Sequence, residues 1–411
     1  MKTKDLTVKF AAIQFCFWTC FAAIVAFSSY YLLSRGMTNT EIGLIIALAG
    51  TVAALLQPAV GTVMDRFSAV TSPGLLGILF ALLAADALAL AFLPGLDRTL
   101  TGILYGIMIM TAQLTQSLLN VVGVDSMTRG NTLNFNIARA VGSFGYAAAA
   151  LGIGALTVNL PPTVIPAVTA LFAALIVILT RVYPLRKDHA EDLQAIRSGA
   201  AGPVAFLKRY PVFVLLLPAL TMIYFSHAIL NTFTLQIVNT FGAGSAEMGT
   251  ATAIAAGCEV ITVTGFALLR KHISIRTLLR ISGSFFLLKI ALSAMAASVG
   301  GFYAAQVCQM FAWGILCVAI VYYVNGIIPE ADRAKGQTYA GMTLTAANVL
   351  GAVIGGRIID TGGIRTLLLI GCGICAAGVI LLFLATRDGN AASAGQTAEK
   401  KEMNHRGGSA E

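Results

Sequence analysis

Glu259 and Lys289 stand near the middle of two apolar stretches, residues 248–269 and 277–298, that follow one another in the chain. Each stretch is about 22 residues long, enough to cross a bilayer as a helix. A charge at that depth costs about 2.5–3.5 kcal/mol on insertion scales, so such groups pair with one another or face a protein-lined cavity. Opposite charges on successive antiparallel helices predict a pair. A carboxyl there can also carry a proton, because its proton affinity follows the dryness of the site and the distance of the nearest cation. The alternative is a permanent structural ion pair. Two further titratable groups lie in apolar runs. Asp86, within Ala-Ala-Asp-Ala-Leu, has three open roles: a second proton site, the partner of a basic group, or a water-facing residue. His227 titrates near neutral pH and is either a proton-coupling group or a hydrogen-bonded interior residue.

Neutral polar residues recur at helical spacing around these groups. Gln113, Gln116 and Asn120 share one face of one apolar run, and Gln306, Gln309 and Trp313 share a face of another. Asn231 and Asn348 are single amides in two more. Amides facing lipid are costly, so these faces are expected to point inward and to line a site for a hydroxyl- or amide-rich solute, or to glue helices together. Trp18 and Trp313 could stack a ring or simply pack.

The elements that must position these residues are membrane helices. Of the 411 residues 57% are hydrophobic and 11% charged, against about 25% charged in soluble domains, and the mean hydropathy is +0.83. Backbone amides in lipid must be bonded internally, so the apolar runs are helices. Twelve are expected: 10–33, 41–61, 72–93, 100–122, 134–158 and 163–182, then 210–238, 248–269, 277–298, 303–327, 336–358 and 365–385. The one long polar interior segment splits them six and six. The domain plan is thus a bundle over 1–182, a cytoplasmic linker over 183–209, a second bundle over 210–386 and a disordered tail over 387–411. Two six-helix halves are the plan of a two-repeat transporter that works by alternating access.

Lys and Arg give the orientation. Of the 27, only Arg35, Arg98, Arg357 and Arg365 fall in outer connections, and Arg139 and Lys289 lie within the membrane; the other 21 fall in inner loops and tails when both termini are cytoplasmic. The net charge of +9 therefore implies the membrane rule and not a nucleic-acid partner. The first apolar run is too long for a signal-peptide core and lacks its cleavage site. The seven cysteines all lie in apolar runs, and Cys372-x-x-Cys375 reads as packing, so neither metal nor cofactor is expected.

Three motifs point further. Gly61-Thr-Val-Met-Asp65-Arg66 resembles the inner-loop G-x-x-x-D-R of the major facilitator superfamily, although Phe67-Ser-Ala follows where more basic residues are usual. That resemblance implies that Gly61, Asp65 and Arg66 latch one conformation. Ala138-Arg139-Ala-Val-Gly142-Ser-Phe-Gly145-Tyr146 is similar to the sugar-binding fifth helix of the lactose permease branch, the oligosaccharide, nucleoside and phenylpropionate proton symporters. Arg139 and Tyr146 are seven residues apart, about two turns, so they share a face. The arginine could bind hydroxyls or a carboxylate bidentately, or could reach for the membrane surface. In the second half, Gly257-Cys258-Glu259 matches the place of that branch's sugar-contacting glutamate, and Lys289 that of a coupling arginine. Gln309 and Ala312 replace its histidine and glutamate, and Val121 replaces an acidic sugar ligand. Gly351-Ala-Val-Ile-Gly355-Gly356 is a close-packing pattern.

The resemblance implies an all-α membrane protein of two pseudo-symmetric six-helix bundles, in the cell membrane and working as a monomer. Its partners would be a small-molecule substrate, protons and the bilayer. The activity expected is proton-coupled uptake of a saccharide or glycoside. The alternatives are export of amphipathic compounds, or uptake of an aromatic carboxylate or nucleoside. No H-E-x-x-H, G-x-x-x-x-G-K-[ST] or G-x-S-x-G occurs, which argues against an enzyme.

Overall fold

The computed structural model describes residues 3–66, 71–93, 95–128, 133–183 and 203–387. The described residues are helical and form twelve spans. Spans 1 to 6 are Thr3–Phe21 (continued by a π-turn, Ala22–Ala26, and Ser28–Ser34), Asn39–Arg66, Ser72–Phe92, Arg98–Thr128, Phe135–Asn159 and Val164–Arg181. Spans 7 to 9 are Pro211–Thr232 (continued by Thr234–Asn239), Ser245–His272 and Ile275–Met295. Span 10 comes in pieces, Val299–Val307, Cys308–Met310 and Trp313–Ile327. Spans 11 and 12 are two arms of one helical stretch, Arg333–Ala385, bent at Gly363, whose φ of 77° admits glycine and few other residues. The linker expected over 183–209 falls largely outside the described residues, apart from a short helix, Pro203–Arg209; the tail after 387 lies outside them too.

Local chemistry sets several of the helix starts. Thr71, Asn134, Ser274 and Ser298 each accept a hydrogen bond from the backbone N–H three residues on, and Pro73 and Pro211 stand in first turns where no N–H is needed.

The two halves meet through span 5 against span 8 and span 2 against span 11. Small residues allow both crossings. A Cβ on Gly249 would collide with the carbonyl of Ala150, one on Gly43 with that of Ala352, and one on Gly356 with that of Asn39. The packing expected of the Gly351–Gly356 motif is present, but it serves two partners: Gly351 and Gly355 lie on span 7, against Ala228 and Phe233, and Gly356 on span 2.

Hydrogen bonds join the halves at the face where spans 2 and 8 begin. Ser29 Oγ donates to Thr232 O (2.5 Å), and Gln236 Nε2 to Asn39 Oδ1 (2.7 Å). Asp360, ending span 11, accepts from Asn39 and Thr40 at the start of span 2. The molecule is therefore tied shut at that face, and its N-terminus lies toward the other. Gly61, Asp65 and Arg66 close span 2 at the other face, but the latch expected of their side chains lies outside the described residues.

Candidate functional site

Span 5 supplies the first part. Arg139 lies one turn into the helix that Asn134 caps. Its guanidinium stands 4.2 Å from the ring centroid of Trp18 in span 1, and Nη1 donates to Ser143 Oγ (3.0 Å). Tyr146 meets the same indole edge-on, with centroids 6.3 Å apart. The seven-residue spacing thus places Arg139 and Tyr146 on one face, with Trp18 as their shared contact. Gly142 makes the approach possible, because a Cβ there would sit 2.5 Å from Trp18 Cδ1. Gln14, one turn before Trp18 and fully buried, accepts from the indole N–H at 3.0 Å, and its Nε2 has no protein partner. Arg139 turns toward this cluster and not to the membrane surface. Most of its five N–H donors have no protein acceptor among the described residues.

Spans 7 to 10 supply the second part. Lys289 is fully buried, and its ammonium donates to Gln309 Oε1 at 2.7 Å. Gln309 sits where span 10 breaks from helix to a 3₁₀ turn, and Trp313 opens the helix beyond. Trp313 stacks on His227 with centroids 4.6 Å apart and planes 8° from parallel; Phe286 meets the same imidazole edge-on. His227 Nε2 pairs with the Asn231 amide at 2.9 Å, while its buried Nδ1 has no partner.

Glu259 lies between the two parts. Its hydrogen-bonding neighbour is Trp313, and the cations acting on it are Arg139, from the other half of the molecule, and Lys289. Tyr146 is also within its electrostatic reach. No contact ion pair joins Glu259 to Lys289 or Arg139 among the described residues. The expected Glu259–Lys289 pair is therefore not formed: the ammonium is held by Gln309, the residue that stands where the resemblance predicts histidine. Gly257, on the same helix, faces open space. The arrangement is one carboxylate and two cations, with an aromatic platform on each side and several free donors. It can bind a flat or hydroxylated solute and hold a proton on Glu259.

The chain shows the same pattern of residues along most of its length: residues 7–370 match the family model described as MFS_1 like family. The chain belongs to the MFS_1 like family. No curated protein sequence matches it. Among solved structures, a mutant of the nucleoside transporter NupG superposes with a TM-score of 0.80 at 16% identity, covering 94% of this chain and 100% of that one. NupG itself gives 0.74 at the same identity and coverage. A bacterial homologue of the human lysosomal transporter Spinster, inward-facing and unoccupied, gives 0.65 at 14% identity, covering 94% and 97%. At these identities the likeness is one of fold, and the protein is a multi-pass membrane transporter of the major facilitator type.

Other predicted site residues of this MFS_1 like protein lie apart from the cluster or bear on it less directly. Gln113 lies against Gly50 of span 2, its Oε1 3.2 Å from where a Cβ would be. Gln116, Asn120 and Asn348 make no hydrogen bond among the described residues, and Asn120 and Asn348 are exposed. Gln306 is buried with its Nε2 unbonded. Asp86 belongs to a separate group near the closed face. Both its oxygens are buried without a hydrogen bond, and it lies within electrostatic reach of Tyr31, which bonds Arg35 at 3.2 Å. Sequence reasoning missed Gln14, Ser143 and Asp360. Gln14, in an apolar run, carries the same signal as Gln113 and Gln306; Ser143 stands inside the Arg139–Tyr146 motif; and Asp360, in a polar connection, carries no signal of its own.

Proposed function

We propose that this protein is a proton-coupled symporter that takes up a small hydroxylated ring compound, a saccharide or glycoside, across the cell membrane. The observation that carries this reading is the position of Glu259. It answers to Arg139 in one half and to Lys289 and Trp313 in the other, so any rocking of the halves changes the charges it meets. Proton and solute affinity are then linked, and the coupling works in both directions. Both termini are cytoplasmic by the distribution of Lys and Arg. With the N-terminus inside, the tied face is the outer one, and the state described is inward-facing.

A nucleoside is the second reading, because it is the glycoside with a flat aromatic ring. The Trp313–His227 stack and the Trp18–Arg139 stack favour such a ring, and a structural neighbour is described as a nucleoside transporter. Sodium in place of the proton would need a different acid–oxygen cage than a lone carboxylate beside two cations.

Reconstituted liposomes test the proposal. Glu259→Gln is expected to abolish accumulation driven by a proton gradient while solute exchange at equal concentrations continues. Accumulation intact in that variant overturns the assignment of Glu259. Prior screening of purified protein for thermal stabilisation by saccharides, nucleosides and aromatic carboxylates chooses the solute, since a ligand of the folded state raises stability by mass action. Stabilisation by aromatic carboxylates alone refutes the glycoside reading.

A further inference from the structure

Spans 2 and 4 part from one another at the tied face and leave a groove of about 420 Å³. Its walls are apolar, with Leu44, Leu48 and Val52 on one side and Ile103, Ile107 and Met110 on the other. Leu44, Leu48, Ile103 and Ile107 are 41–57% exposed, so the groove opens sideways, away from the core. Gly102 and Gly106 form part of its floor, where Ile45 crosses: a Cβ on Gly102 would stand 3.1 Å from Ile45 Cδ1 and from Met37 Cε. The mouth is of another kind. Arg98 and Glu41 face each other there as an ion pair, each side chain 47% exposed. Glu41 Oε2 is held in place by the Thr38 backbone N–H (2.8 Å) and hydroxyl (3.0 Å).

We infer that this groove is a phospholipid site, which takes one acyl chain along spans 2 and 4 and a zwitterionic phosphoethanolamine head group over Arg98 and Glu41. Two observations carry it. The first is length. Glu41 at the mouth and Val52 at the far end are eleven residues apart on one helix, about 16 Å at the helical rise, which matches about 15 Å for half the hydrocarbon core. The groove is thus one leaflet deep, with its charges at the depth of head groups. The second is charge. A cation and an anion side by side offer one partner each to a phosphate and an ammonium. An exposed pair of this kind contributes little to stability, so a head group can insert between its members. An anionic head group would satisfy Arg98 and meet Glu41 with like charge. The groove is distinct from the site around Glu259, whose residues are absent from its walls.

The test uses the full chain, purified, stripped of lipid and titrated with phosphatidylethanolamine or phosphatidylglycerol under native mass spectrometry. One phosphatidylethanolamine is expected to be retained about tenfold better than phosphatidylglycerol, the factor set by one charge-assisted hydrogen bond at an exposed site. Ile107→Trp, at a half-exposed wall position, should fill the groove and remove that preferred lipid. Leu48→Trp does the same from the opposite wall, so a folding failure in one variant leaves the other to decide. Arg98→Gln combined with Glu41→Gln should leave the chain site but level the two lipids. Equal retention of both lipids by the unaltered protein overturns the inference. So does undiminished retention by a folded tryptophan variant.

Discussion

Asp360 is the strongest tie between the halves, and weakening it has a calculable effect. Its Oδ1 accepts from the Asn39 N–H (3.2 Å) and Asn39 Nδ2 (2.8 Å), and its Oδ2 from the Thr40 N–H (2.7 Å) and Thr40 Oγ1 (2.5 Å). The carboxylate thus caps the start of span 2 from span 11, where a negative charge also meets the positive end of the helix dipole. Asp360→Asn keeps one acceptor oxygen for the two Asn39 donors and turns an NH₂ toward Thr40, whose hydroxyl can accept from it but whose N–H cannot, which loses one hydrogen bond and the charge. The site is exposed, so the lost bond counts about 1.5 kcal/mol, at the low end for charged partners, and the lost charge at the helix start about 0.5 kcal/mol, for a total of about 2 kcal/mol. That shifts the closed-to-open ratio of this face about thirtyfold toward open. Spin labels on cysteines placed at Thr99 and Thr361, in a background without native cysteines, would report it by pulsed dipolar spectroscopy. The expected result is a longer-distance population in Asp360→Asn that is minor or absent without it. Identical distance distributions would refute the reasoning, and would mean that the glycine crossings and the Ser29 and Gln236 hydrogen bonds hold the face shut without Asp360.

Two other outcomes follow from the same structure. Gln309→Leu removes the acceptor of a fully buried ammonium, so the melting transition should fall by the equivalent of about 1–3 kcal/mol; an unchanged transition would show that Lys289 has another partner. Gly249→Val drives a side chain into the Ala150 carbonyl and should hold spans 5 and 8 apart, so that the same spin-label pair reports an open face and transport is lost; a closed face with normal transport would show that the crossing is not needed for closure.

The number of spans, their division six and six and the family are legible in the order of residues, because a bilayer imposes length and apolarity on each span separately and leaves the signal in contiguous residues. So is the shared face of Arg139 and Tyr146, since helical periodicity is local. Partners are a different matter. That Lys289 bonds Gln309 and not Glu259 depends on how spans 8, 9 and 10 are rotated against one another, which no single helix encodes. The break in span 10 at Gln309 has no proline or glycine at 308–312 to announce it, and shows only once the span packs. Gln113 matched the pattern of a site-lining amide, yet span 2 approaches so closely at Gly50 that its amide packs there. The closing of one face by Asp360, Gln236 and Ser29 joins residues some 200 to 320 positions apart. Hydrophobic matching to lipid places each helix in the membrane without fixing its rotation or its neighbour; small-residue crossings and polar contacts decide both, and these exist only in the assembled bundle.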